Sequence, residues 1–126
     1  MSSTSIAGLR QVALTVSNVD RAVAFYRDAV GLTFLFAAPP SLAFFDIGGV
    51  RLMLAPPEGE FTAGVSSVLY FKVADIEGAH AEMTARGVVF TDEPHFIAPM
   101  PDHDLWLCAF RDPDGNAMAL MCEKPR

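Results

Sequence analysis

Residues 12–22 of this chain, Val-Ala-Leu-Thr-Val-Ser-Asn-Val-Asp-Arg-Ala, return 57 positions later as 69–79, Leu-Tyr-Phe-Lys-Val-Ala-Asp-Ile-Glu-Gly-Ala, with apolar, capping and acidic positions in step. Further along, Ala43-Phe-Phe-Asp-Ile-Gly-Gly-Val-Arg-Leu reappears 66 positions on as Ala109-Phe-Arg-Asp-Pro-Asp-Gly-Asn-Ala-Met, so the second copy carries about nine additional residues in its middle. Two copies are too few for a solenoid, which needs three or more units to bury a continuous core. The chain therefore reads as a duplicated half-domain: one domain over 1–126, with a first module at about 9–56 and a second at about 66–123.

Within each copy the order is the same. Residues 10–16 alternate as a strand, Asn18 offers an N-cap, and Val19, Ala22, Val23, Tyr26 and Val30 share one helical face before Gly31 ends the helix. The second copy gives a strand over 68–73, Asp75 as cap, Ile76, Ala79 and Met83 as the stripe, and Gly87 as the stop. Three strands are predicted after each helix: 32–37, 42–47 and 50–55, then 88–98, 104–111 and 117–122. Asp46-Ile-Gly-Gly and Asp112-Pro-Asp-Gly-Asn are the turns between the last two strands of each set. The pattern is βαβββ twice, an α+β fold.

A helix lying on a four-stranded sheet covers one face and leaves the other open. Strand parity sends Val12, Leu14 and Val16, like Leu69, Phe71 and Val73, toward a helix. Gln11, Ala13 and Thr15, like Val68, Tyr70 and Lys72, then face the open side. Two such sheets joined at an edge predict a curved eight-stranded mixed sheet around a concave trough, the natural seat for a small molecule.

Composition narrows the partners. At 126 residues, 52% apolar and 19% charged, the chain has the make-up of a packed globular domain. A formal charge of −6 disfavours phosphate backbones and anionic lipid, so neither nucleic acid nor membrane is expected as a partner. No run approaches the ~18–20 apolar residues of a spanning helix, and the opening residues have no basic and apolar leader pattern. A cytoplasmic location is expected. Cys108 and Cys122, each inside an apolar strand-like run, read as reduced buried thiols.

The duplicated βαβββ order, the segment Val19-Asp-Arg-Ala-Val-Ala-Phe-Tyr-Arg-Asp-Ala-Val-Gly-Leu and the terminal Asp112-Pro-Asp-Gly-Asn resemble the vicinal oxygen chelate superfamily. That superfamily contains glyoxalase I, the bleomycin-resistance proteins, methylmalonyl-CoA epimerase and extradiol dioxygenases. The likeness runs from about residue 9 to residue 122 and implies the glyoxalase/bleomycin-resistance/dihydroxybiphenyl dioxygenase-like fold. It also implies a divalent metal held by His, Gln or Glu from the first and last strand of each copy. The matching positions here are Gln11, Met53, Val68 and Ala119. A metal of this kind needs three or more N or O donors, and one neutral amide among Met, Val and Ala does not supply them. No metal or other cofactor is expected.

The additional residues fall in the hairpin 91–106, which carries His95, His103 and Trp106. His95 or His103 is a candidate general base or ligand hydrogen-bonder, with Asp104 or Asp102 orienting the imidazole and Trp106 as a stacking wall. His95, His103 and Asp104 carry metal donors, though without the spacing of a recognisable site. Arg51 and Lys72 face the open side by parity and are candidates for holding a ligand anion. His80 reads as a partly buried helix residue, and 112–116 as a tight turn in preference to a calcium loop.

Two functions follow. The first is a metal-free binding protein whose trough, lined by Gln11, Ala13, Met53, Val68, Tyr70, Ala119 and Met121 with Trp106 beside it, takes an apolar or aromatic small molecule. The alternative is a lyase, isomerase or dioxygenase of glyoxalase type that works through His95 or His103, or through a rebuilt metal site. Exposed sheet edges and the resemblance imply a homodimer, with the linker from Ala55 to Gly64 as a hinge for exchanged halves.

Overall fold

The computed structural model describes residues 6–59, 62–65 and 67–126. The opening residues 1–5 read above for a leader, and Glu60 and Phe61 of the linker, lie outside the described residues. The first module runs β1 (Gln11–Thr15), α1 (Val19–Ala24) with a π-helical continuation at Phe25–Val30, β2 (Thr33–Ala38), β3 (Leu42–Ile47) and β4 (Val50–Ala55). The second runs β5 (Leu69–Lys72), α2 (Ile76–Ala85), β6 (His95–Pro99), β7 (His103–Arg111) and β8 (Ala117–Pro125).

The eight strands form two four-stranded mixed sheets, β1-β4-β3-β2 and β5-β8-β7-β6, with β1 parallel to β4 and β5 parallel to β8. Ala13 stands opposite Met53 in one and Tyr70 opposite Ala119 in the other, so the repeat is also a repeat of register. Because strand faces alternate, that register fixes which side chains share a face.

Local chemistry sets the ends of the elements. The Arg21 N–H donates to the Asn18 side chain at 3.0 Å, and the Gly78 N–H to the Asp75 side chain at 3.0 Å, so both predicted caps satisfy a free helix-end donor. The first helix widens before it stops: the N–H groups of Gly31 and Leu32 both donate to the Tyr26 carbonyl, at 3.1 and 2.8 Å. Gly31 takes a left-handed φ of 91° there, which a side chain would oppose. The wider turn follows no change in the apolar stripe, which is why periodicity reads it as ordinary helix.

One apolar core spans both modules. Leu14, Val16, Tyr26, Phe45, Leu52 and Leu54 meet Ile76, Phe110, Met118 and Leu120, all nearly excluded from solvent. At its centre sits the turn after β7. The buried Asp112 carboxylate accepts from Asp114 N and Asn116 N with one oxygen, and from the Tyr26 hydroxyl and the Asn116 amide with the other, at 2.8–2.9 Å. Asn116 also donates to the Thr15 carbonyl at 3.2 Å, while Asp114 accepts from Ser17 N at 3.0 Å and pairs with Arg21 at 3.3 Å. A carboxylate whose oxygens are filled by protein donors has none to spare for calcium, so 112–116 is a turn that fastens one module to the other.

The strand expected over 88–98 is shorter. Only an isolated bridge, Phe90 to Phe110, precedes β6, and β6 carries a bulge between Phe96 and Ala98. Thr91 N donates to the Ala109 carbonyl at 2.8 Å, and the Asp92 side chain accepts the Ala109 N–H at 2.7 Å. A side chain thus replaces the next ladder bond, and Pro94 has no N–H with which to resume it. Among the described residues no helix is long and apolar enough to cross a membrane.

Candidate functional site

The open face of the second sheet follows from parity. Cys108 and Phe110 of β7, and Met118, Leu120 and Cys122 of β8, are buried on the helix side. Leu107, Ala109, Ala117 and Ala119 therefore turn the other way, and with Val68 and Tyr70 they wall a pocket of about 270 Å³. Small side chains at 109, 117 and 119 make the hollow, and Tyr70, 56% exposed, stands over it. Asp92 and His95 join the wall from the segment that precedes β6 and from its first residue.

His95 is oriented by the backbone: its Nδ1 lies 2.8 Å from the Glu93 carbonyl. Its nearest carboxylate oxygen, Asp92 Oδ2, is 4.0 Å from the same nitrogen. Among the described residues no Lys or Arg lines this pocket.

The matching face of the first sheet carries Gln11, Ala13, Arg51 and Met53. The Gln11 amide nitrogen lies 3.9 Å from the Met53 sulfur. Arg51, opposite Gln11 in the ladder, holds its guanidinium 5.7 Å from the Phe44 ring centre. Where β4 meets β5 a narrower cleft of about 170 Å³ opens, with Arg51 on one side and Tyr70 on the other. Tyr70 therefore borders both hollows.

The structure brings Val68, Tyr70, Ala119 and His95 together and sets the remaining predicted residues elsewhere. Gln11 and Met53 pair on the other sheet. Met121 stands opposite Leu107 and Lys72, beside the pocket wall. His103 shares the face of Leu107 but sits four residues along β7, roughly 13 Å at strand rise. Its partner is Asp102, at 2.6 Å, and that hydrogen bond holds the Asp102 carboxyl below the usual carboxylate range. Asp104, the other candidate for orienting an imidazole, instead accepts from Arg126 at 2.6 Å.

Trp106 needs correction as a trough wall. It has the parity of Cys108 and Phe110 and packs against the core on the helix-covered face. The Lys124 ammonium lies 4.0 Å from its ring centre, and Phe96 meets it edge-on at 6.4 Å. His80, read as a helix residue without a role, lies over Phe90 at 4.3 Å. It borders an open surface groove between α2 and residues 87–93 that shares only Asp92 with the sheet pocket.

Missing from the sequence reading are Leu107, Ala109 and Ala117, which strand parity alone would have placed on this face. Nothing in the sequence marks Asp92, whose place depends on a hydrogen bond to a strand 17 residues away.

At the four positions where the resemblance implies metal ligands, the structure puts an amide beside a thioether on one sheet, and Val68 with Ala119 in the pocket of the other. This donor set does not fit a divalent cation, which prefers oxygen and imidazole ligands. Among the described residues no group of three or more His, Cys, Asp or Glu side chains is placed to hold one elsewhere.

Comparison with known proteins bears on this geometry. The uncharacterized protein YraH of Bacillus subtilis (strain 168) is 27% identical over 128 residues, covering 89% of this chain and 95% of that protein. The crystal structure of TnmS3, an antibiotic binding protein from Streptomyces sp. CB03234, superposes with a TM-score of 0.77 at 24% identity, over 98% of this chain and all of that one. Lactoylglutathione lyase from Agrobacterium tumefaciens superposes at 0.72 with 22% identity, over 92% and 93% of the two chains. At such identities the two superpositions establish the fold alone. The family model described as Glyoxalase/Bleomycin resistance protein/Dioxygenase superfamily matches residues 8–120. With that match covering nearly the whole chain, and with both sheets carrying the duplicated register, the chain belongs to the glyoxalase/bleomycin resistance/dioxygenase superfamily.

Proposed function

We propose that this protein binds an apolar or aromatic small molecule on the open sheet face and does so without a metal. The observation that carries the proposal is the second sheet's pocket: where the family resemblance calls for ligating side chains, Val68 and Ala119 form part of an apolar wall beside Tyr70. Apolar surface removed from water contributes about 25 cal/mol per Å², so a flat aromatic body gains most of its affinity from such walls. Tyr70 adds a ring for packing and one hydroxyl for a directional bond. TnmS3, described as an antibiotic binding protein, provides a precedent for a binding role on this fold.

The placement of His95 at the pocket favours a second reading, a lyase or isomerase that uses this imidazole as its base. His103 enters that reading only if ligand reaches the far end of β7.

In this account the protein acts in the cytoplasm as a homodimer. A second copy would cover the apolar side chains left exposed on the open faces and edges, among them Phe36, Val68 and Tyr70.

The test is calorimetry and thermal shift against a panel of aromatic compounds, with each compound recovered and weighed by mass spectrometry. Saturable binding with unchanged compound supports the binding role. Conversion that disappears in His95→Ala, with the fold intact, favours the enzyme.

A further inference from the structure

Among the described residues, the polar side chains that line the second-sheet pocket are Asp92 and His95, both with acceptor atoms, beside the Tyr70 hydroxyl and the weakly donating Cys108 thiol. The His95 Nδ1 lies 2.8 Å from the Glu93 carbonyl, and a carbonyl can only accept. The ring proton therefore sits on Nδ1, and in the neutral imidazole Nε2 is left as a bare acceptor. Asp92 uses Oδ1 to accept the Ala109 N–H at 2.7 Å, which leaves Oδ2 as a second acceptor carrying negative charge. The Tyr70 hydroxyl can turn either way. Among the described residues no ammonium or guanidinium lines the pocket to receive an anion.

The segment that carries these groups is pinned. Ala109 contributes both backbone groups, its carbonyl to Thr91 and its N–H to Asp92, so residues 91–92 are tied to the strand that forms the pocket's floor. An acceptor-lined site repels a ligand that brings only acceptors, because each facing pair is desolvated without a hydrogen bond. A carboxylate adds like-charge repulsion from Asp92.

We propose that this pocket selects aromatic ligands bearing a hydrogen-bond donor, with cationic amines preferred over neutral hydroxyls, and that His95 and Asp92 are the residues that make the selection. This rests on the proposed binding role and names the ligand chemistry for it.

A series on one ring system tests it: 1-naphthylmethylamine, 1-naphthol, 1-methoxynaphthalene and 1-naphthoate, titrated into the full-length protein at pH 8 by calorimetry. The expected order of affinity is ammonium, then hydroxyl, then methyl ether, then carboxylate, with each donor worth about three- to tenfold. His95→Phe keeps a planar ring without the acceptor and should bring naphthol and its methyl ether within about twofold of each other. Asp92→Asn keeps an oxygen for the Ala109 N–H and should remove the preference for ammonium over hydroxyl. Circular dichroism on both variants confirms that they are folded; His95→Leu replaces an unfolded His95→Phe, and Asp92→Ser, whose hydroxyl can still accept the Ala109 N–H, replaces an unfolded Asp92→Asn, each with the same expected outcome. Naphthoate binding as tightly as naphthol, or donor preferences that survive both substitutions, would overturn the selection rule while leaving a binding role standing. If none of the four compounds binds, the binding role fails together with the inference.

Discussion

The Tyr26 hydroxyl donates a 2.8 Å hydrogen bond to the buried carboxylate of Asp112, 86 residues along the chain, and so joins the helix of the first module to the last turn of the second. Removing it with Tyr26→Phe deprives a buried acceptor of one partner without opening a cavity. A loss of about 1–2 kcal/mol is expected, read as a lower urea midpoint with Trp106 fluorescence as the probe.

The same contact gives the protein an alkaline limit. Burial first, then the negative charge and hydrogen bond of Asp112, push the Tyr26 phenol far above its ordinary range. Because the folded value is raised, its contribution is complete below the ordinary phenol value near pH 10 and declines as pH rises past it. Above that pH the unfolded chain releases the proton and the folded chain retains it. One unit higher, the wild-type protein should have lost about 1.4 kcal/mol from this group, and Tyr26→Phe should lack that share of the pH dependence.

Cys108 and Cys122 are both buried, and burial, with smaller effects from Asp92 and Glu77, pushes the Cys108 thiol up to about 11. Reaction with a thiol reagent such as DTNB requires the thiolate and access to it. Native protein at pH 8 should therefore react over hours, and both thiols should react within minutes in urea.

Filling the second-sheet pocket separates binding from stability. Ala109→Phe places a ring in the roughly 270 Å³ hollow from a half-buried position, so ligand affinity should fall more than tenfold while the melting temperature moves by only a few degrees. Tyr70→Ala should weaken binding through loss of ring contact, with little cost to a side chain already 56% exposed.

Light scattering coupled to size exclusion tests the proposed pairing: a mass of two chains at micromolar concentration is expected, and a monomer there would contradict it. Phe36, Val68 and Tyr70 are the side chains whose exposure such a dimer would reduce.

The features legible in the sequence are those set by near neighbours. Asn18 and Asp75 cap helices because each side chain reaches an N–H three residues away, and Gly48-Gly49 turns β3 into β4 because both residues accept positive φ. Parity put Gln11, Val68 and Tyr70 on open faces, while Ala119 came from the family resemblance, and the two repeat offsets put Met53 and Ala119 at equivalent ladder positions.

What the sequence does not carry is the choice among distant partners. The turn at Asp112 reads as a turn, but not as the acceptor for Tyr26. Asp92 looks like any acidic loop residue until it meets Ala109. Trp106 is different: alternation with Cys108 and Phe110 already placed it on the covered face, and reading it as a stacking wall gave residue type more weight than parity.

Small-molecule binding on a sheet face without a metal is decided by one calorimetric comparison. Protein treated with EDTA and then dialysed, and untreated protein, are titrated with the same aromatic ligand. Metal-free binding requires the same affinity and stoichiometry in both, with the ligand recovered unchanged. Binding or turnover lost with the chelator and restored by a stoichiometric divalent ion would contradict it.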